Sequence, residues 1–271
     1  MEKQKLSYKG HEFYVDTYWL DPIRDFSSEV KRPLVIIFPG GRFTFQTDRE
    51  AQPIALKFAS EGFHAIVLHY QLIEEQTPVY PLALQETAIT LNWLKSQSKI
   101  HHIDLDRIIL VGFSAGGHIV ANFNSIMTNL EERKKVISER LDVIPAANFL
   151  CYPVIDLTAG YPRSKEHRES VSNDTFYWKS QDHLTSNAKP TFIWQTVDDK
   201  TVPVHNSLLY AEKMNQLDLP FELHLFASGK HGLSLGTYVT QRPGNVLHLN
   251  KFVAEWWKLG MNWLRSINFF N

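Results

Sequence analysis

Arg107-Ile108-Ile109-Leu110-Val111-Gly112-Phe113-Ser114-Ala115-Gly116-Gly117-His118 decides how the rest of the chain is read. Ile108 to Val111 run apolar without alternation, which predicts a central parallel strand covered on both faces. After the glycines, Ile119, Val120, Phe123, Ile126 and Met127 recur at helical spacing. Ser114 therefore occupies the sharp turn from strand to helix within Gly-x-Ser-x-Gly. Gly112 and Gly116 leave room for that turn to pack closely, and the hydroxyl projects clear of the sheet. So short a pattern also arises by chance in small-residue turns; the strand before it and the helix after it supply the context of a displayed nucleophile.

Upstream, His11 to Leu20 is aromatic and β-branched and stops at Asp21-Pro22, which predicts an edge strand. Leu34 to Phe38 predicts a strand, residues 51–60 a helix with Ile54, Ala55, Phe58 and Ala59 on one face, His64 to Leu68 a strand, and Pro81 to Gln97 a helix. Asp104 and Asp106 read as a turn before the Ser114 strand, at the far end of the sheet. Downstream, charged residues 131–140 read as a solvated face. Asn148 to Tyr152, Thr191 to Gln195 and Phe221 to Phe226 read as strands and Asn206 to Gln216 as a helix. A last helix over Lys251 to Ser266 is expected to turn Phe252, Val253, Trp256, Trp257, Gly260, Trp263 and Leu264 inward. The alternation predicts an α/β fold with a largely parallel sheet and helices on both faces, in one domain over residues 1–271. Residues 157–189 break the rhythm. Charged, aromatic and too short for a core of their own, they are expected to form an insertion over the active end of the sheet.

Twenty-eight Lys and Arg against 29 Asp and Glu leave no global field for nucleic acid or an anionic membrane. The lone cysteine, Cys151, lies in an apolar run, excludes an intramolecular disulfide and reads as a buried inert thiol. Met1 to Tyr8 lacks the apolar core of a secretory signal and no run reaches transmembrane length, so a cytoplasmic location is expected. Oligomeric state is not readable.

In a parallel sheet, reactive groups gather beyond the carboxyl ends of the strands. A serine needs a base, and among the 12 histidines His231 follows the last strand between glycines. His64 and His224 lie within strands, His205 opens a helix, and His69 and His118 read as pocket residues at most. The base needs a carboxylate to fix its tautomer. Asp199, in Asp-x-x-Val-Pro after the strand ending at Gln195, is favoured; Asp198 reads as a loop residue, and Asp156 is a third option. Ser114, Asp199 and His231 follow the chain order nucleophile, acid, base. The oxyanion of acyl transfer needs donors in place. The Ala115 amide at the helix start is one, and Gly41 or Arg42 in Pro39-Gly40-Gly41-Arg42 supplies the other. Phe43 and Trp178 are candidate pocket walls. No cofactor is implied, and the absence of a His-x-x-x-His or comparable cluster argues against a metal-dependent hydrolase.

Together, Gly112-Phe-Ser114-Ala-Gly-Gly117, the Pro-Gly-Gly-Arg-Phe loop, Thr196-Val-Asp-Asp199 with Val202-Pro203, and Lys230-His231-Gly232 resemble the α/β-hydrolases of the acetyl-xylan-esterase-like, hormone-sensitive-lipase-related carboxylesterase group. The resemblance runs from about Leu34 to the last helix. It implies an eight-stranded, mostly parallel sheet and hydrolysis of short acyl esters of small molecules, acetylated sugars among them. Where lipases of the group carry His-Gly-Gly-Gly, this chain has Pro-Gly-Gly-Arg, so Arg42 is expected over the pocket. The large helical cap of many relatives is absent. A peptidase of the same fold is disfavoured for want of a propeller-like domain that restricts entry; a non-catalytic receptor on this scaffold is expected to lose a triad member, and none is lost.

Overall fold

The computed structural model describes residues 1–23, 25, 30–74, 77–242, 244 and 246–270. Its centre is one eight-stranded sheet. In chain order the elements are β1 (Glu2–Tyr8), β2 (His11–Tyr18), β3 (Arg32–Phe38), α1 (Gln52–Ala59), β4 (His64–His69), α2 (Leu82–Gln97), β5 (Ile103–Phe113), α3 (Ala115–Asn122), α4 (Leu130–Val136), β6 (Ala147–Cys151), α5 (Lys165–Val171), β7 (Thr191–Thr196), α6 (His205–Gln216), β8 (Phe221–Phe226) and α7 (Trp256–Ser266). Strand order across the sheet is β1-β2-β4-β3-β5-β6-β7-β8. β2 pairs antiparallel with both β1 and β4, and every other pairing is parallel.

The unbroken apolar strands arise because both faces are covered. Leu34, Ile36 and Phe38 face one core with α2, α3 and α6; Val35 and Ile37 face the other with α1 and α7. Alternate side chains of one strand thus enter different cores, each excluding water. α3 is buried at all eight positions. Gly112 and Gly116 set its distance from the strands: a Cβ on Gly116 would lie 2.1 Å from the Phe38 oxygen, and one on Gly112 2.5 Å from the Gly116 oxygen. Gly116→Ala is expected to cost about 1–3 kcal/mol, as overpacking does, and to lower activity by displacing Ser114. Thermal midpoint and ester hydrolysis measured together check this; an unchanged midpoint would refute the packing account.

Three expectations are corrected. β2 is not the edge, because β1 pairs outside it. Glu2-Lys-Gln-Lys5 are all exposed, as suits an edge strand that resists further pairing, and their polarity hides the strand in sequence. The turn at Asp104 and Asp106 lies inside β5 as a register shift, with Asp104 accepting from the Asp106 amide and the Arg107 Nε. Phe252 is 70% exposed. Asn250 accepts from the Phe252 and Val253 amides, a short 3₁₀ turn follows, and α7 begins only at Trp256, so Phe252 lies off its inner stripe. Among the described residues, no helix is long and apolar enough to cross a membrane.

Candidate active site

β5 ends at Phe113, and Ser114 takes φ 53° and ψ −114° before α3 starts. This conformation is costly for a residue with a side chain. It is pinned from both sides by the exit of β6: the Ser114 amide donates to the Cys151 carbonyl at 3.0 Å, and the Ser114 carbonyl accepts from the Val154 amide at 3.0 Å. Ser114 Oγ lies 2.7 Å from His231 Nε2, and His231 Nδ1 lies 2.7 Å from Asp199 Oδ2. An ionised carboxylate only accepts, so Nδ1 carries the proton and Nε2 is left to accept from the serine hydroxyl. The Asp199 carboxylate is shielded from solvent.

The choice between the adjacent acids has a local cause. Asp199 Oδ1 accepts from the amides of Thr201 and Val202, a turn that Asp-x-x-Val-Pro is built to make, and this aims Oδ2 at the imidazole. Asp198 points elsewhere: it accepts from the Ser228 hydroxyl and the Gly229 amide, tying the loop after β7 to the loop after β8. The Ser228 bond, then the Gly229 bond, hold its carboxyl below the ordinary carboxylate value. Asp156 caps its own turn through the Thr158 amide and hydroxyl.

Four of the other histidines are engaged away from Ser114. His69 bonds Asp16, His224 bonds Glu222, and His64 accepts from the Leu20 amide while donating to the His101 carbonyl. His118 is wholly buried, with Nδ1 2.7 Å from the Tyr80 hydroxyl. Burial pushes the imidazoles of both His118 and His64 down to about 4. Unfolded, each binds a proton near pH 6.5; folded, each stays neutral until about pH 4. Stability is therefore expected to fall as pH drops through that window, by up to about 3–4 kcal/mol per histidine. Glu50 and Glu86, whose carboxyls burial pushes up, offset part of the loss. Denaturant midpoints across the window and an NMR titration of His118 check this; a ring titrating near its ordinary value would refute the burial account.

The loop after β3 turns through left-handed backbone, with φ 145° at Gly41, 61° at Arg42 and 66° at Phe43. Gly41 is obligatory, since a Cβ there would lie 1.9 Å from the Phe45 oxygen. Among the described residues, no acceptor is found for the amides of Gly41, Arg42 or Ala115, whereas the Gly40 amide donates to Glu50 Oε2 at 2.7 Å.

A cavity of about 220 Å³ opens over Ser114 and His231. Gly41 and Arg42 border it, with Phe45, Tyr161 and Thr201 as further walls. Neither aromatic expected from sequence lines it. Phe43 is fully buried, its ring packed edge-on against His118 at 5.8 Å. Trp178 donates from Nε1 to the Ser172 carbonyl and packs on the core. The backbone is left-handed at Arg42 and Phe43, and Phe43 is buried while Phe45 is 47% exposed. The insertion reaches the cavity through Tyr161, and its His167 Nε2 donates to the Arg42 carbonyl. Arg49, Arg242 and His248 also border the cavity, as does the Glu50 side chain. Sequence reasoning missed Glu50, which stands before α1 where an acidic residue reads as an ordinary helix-start charge, and Tyr152, whose ring lies 5.1 Å from that of His231. Cys151 is buried, and burial pushes its thiol up, away from reactivity. Among the described residues, no group of three or more His, Cys, Asp and Glu is arranged to hold a metal ion.

The family model BD-FAE matches residues 20–214. The chain belongs to the BD-FAE family. This is a family of the α/β-hydrolase type. The carboxylesterase Cest-2923 from Lactobacillus plantarum is similar throughout, with 43% identity, a TM-score of 0.97, and coverage of 99% of this chain and 98% of that one. An acetyl ester-xyloside bifunctional hydrolase from Caldicellulosiruptor lactoaceticus follows at 31% identity and a TM-score of 0.76, over 95% of this chain and 89% of its own. Endo-1,4-beta-xylanase B of Butyrivibrio fibrisolvens shares 28% identity over 217 residues, 77% of this chain; the BD-FAE chain spans only 34% of that relative's length. These likenesses place the chain among the carboxylic ester hydrolases.

Proposed function

We propose that this BD-FAE chain is a serine carboxylesterase acting on short-chain acyl esters, acetyl to butyryl, including acetyl groups on sugars or xylan fragments. One observation carries the reading: Ser114, His231 and Asp199 stand in series, each contact 2.7 Å. Ser114 Oγ attacks the ester carbonyl while its proton passes to His231 Nε2. The oxyanion accepts from the Ala115 amide and from Gly41 or Arg42. As the intermediate collapses, the bond to the alcohol oxygen breaks and Nε2 returns the proton to that oxygen. Water, deprotonated by the same imidazole, then releases the acid and restores Ser114. Asp199 keeps the proton on Nδ1 and stabilises the imidazolium.

Short acyl groups suit a cavity of about 220 Å³ bordered by Phe45 and Tyr161. The sugar reading draws on the named activities of the Caldicellulosiruptor and Butyrivibrio relatives. The whole chain is read as one hydrolase unit with 157–189 as its insertion, in a cytoplasmic protein.

Two measurements test the proposal. A fluorophosphonate probe is expected to label one serine, Ser114, identified by peptide mass; a label elsewhere, or none, would sink the nucleophile assignment. In a nitrophenyl ester series kcat/KM is expected to peak between acetate and butyrate and to fall by about tenfold or more at octanoate, as the cavity no longer holds the chain. Acetylated methyl xylosides decide the sugar reading by acetate release.

A further inference from the structure

We propose that Glu50 is a positioning residue, whose buried carboxylate clamps the loop after β3 to the segment after His231 and so holds the oxyanion donors and the imidazole at a fixed separation around Ser114. The inference rests on the serine-esterase reading above.

Glu50 is 2% exposed, and its two oxygens serve different loops. Oε2 accepts from the Gly40 amide at 2.7 Å. The carbonyl of that same peptide unit, on Pro39, accepts from the Tyr70 hydroxyl at 2.5 Å. The Pro39–Gly40 peptide is thereby held at its donor and its acceptor, and its plane sets where the following amides of Gly41 and Arg42 point. No space remains for adjustment, since a Cβ on Gly40 would lie 2.8 Å from Glu50 Oε2 and 2.9 Å from Ser114 Cβ.

Oε1 accepts from the Tyr152 hydroxyl at 2.6 Å, and the same phenolic oxygen accepts from the Ser234 amide at 3.0 Å. Ser234 is tied back a second time, its hydroxyl donating to the Arg49 carbonyl at 2.7 Å. The Tyr152 ring lies edge-on to His231, 5.1 Å between centroids. Ser114, Tyr152 and Ser234 all have positive φ, at 53°, 39° and 53°, and Arg42 and Phe43 follow at 61° and 66°. Backbone of this kind persists only where its surroundings over-determine it. Glu50 is the acceptor that the loops share.

An acceptor on both sides is required. Glutamine in the same place presents an amide donor to either the Gly40 N–H or the Tyr152 hydroxyl, which leaves one donor without a partner. Tyr152→Phe removes the same link from its other end and keeps the ring against His231.

The experiment compares wild type, Glu50→Gln, Tyr152→Phe and the double variant on nitrophenyl acetate, with kcat expressed per active site titrated by a fluorophosphonate. Each single change is expected to lower kcat per site by about tenfold to a hundredfold with KM within about threefold. The double variant is expected to lose little more than the worse single, because both cut one link. If kcat per site stays within about threefold of wild type in the single variants, or only the number of titratable sites falls, Glu50 is merely structural and the inference is overturned. Should Glu50→Gln fail to fold, Tyr152→Phe decides alone by the same criterion. Ser114→Ala in the same assay separates the levels. Full activity there defeats the serine reading itself, whereas an inactive Ser114→Ala beside an active Glu50→Gln defeats the positioning role alone.

Discussion

Ser114→Ala is expected to lower kcat on nitrophenyl acetate by about 10³-fold or more, with KM little changed. In the proposed mechanism the Ser114 hydroxyl is the group that forms the acyl bond. Cys151 is buried with a thiol pushed up in pKa, and the His118 ring is wholly enclosed. What activity remains comes from donors and imidazole acting on water, so the variant keeps a small rate above background. Because the Ser114 peptide is held by Cys151 and Val154 through its backbone, the alanine variant is expected to fold with a near-native thermal midpoint. Steady-state kinetics with active-site titration checks both. An alanine variant with wild-type turnover would remove Ser114 from the chemistry.

Asp199→Asn is expected to cost about 10³- to 10⁴-fold in kcat while leaving the fold in place. Asparagine is nearly isosteric, and its side-chain oxygen can still accept from the Thr201 and Val202 amides. The amide nitrogen then faces His231 Nδ1 and donates to it, which moves the ring proton to Nε2. Nε2 is 2.7 Å from Ser114 Oγ, and with a proton on it the imidazole no longer accepts from the serine. Asp198→Asn is the matched control. Its carboxylate serves Ser228 and Gly229 at an exposed edge, so activity is expected to change by less than about threefold. Equal losses in the two variants would overturn the assignment of the acid.

The parts of the site that were legible are those whose residue type and place in the topology agree. Ser114, Asp199 and His231 each follow a strand, and each carries a chemical type the proposed reaction needs. Asp199 could be chosen over Asp198 because Asp-x-x-Val-Pro is a turn with its own hydrogen bonds, and that turn spends one carboxylate oxygen and frees the other. The central strands were legible because burial on both faces leaves an unbroken apolar run. β1 was not: an edge strand is selected for charge, and Glu2 to Lys5 read as a polar tail. Glu50 and Tyr152 escaped because their roles depend on burial and on partners about a hundred residues away, as the Tyr152–Glu50 bond with a separation of 102 shows. The pocket walls were misread for a smaller reason. Two consecutive left-handed residues, Arg42 and Phe43, carry the backbone where Phe43 is buried rather than in the cavity wall, and the sequence does not announce such a turn.

The burial of α3 on every side has a consequence for how this enzyme can change. With no residue of that helix free, nearly every substitution between Gly112 and Asn122 alters packing and catalysis at once, and selection has no neutral ground there. The rim is different: Arg42, Phe45, Tyr161, Thr201 and Arg242 border the cavity from loops rather than from the central strands. A directed-evolution library would be expected to recover new substrate preferences from those rim positions and almost none from the helix. The scaffold thus separates the part that must be inherited intact from the part that is open to diversification.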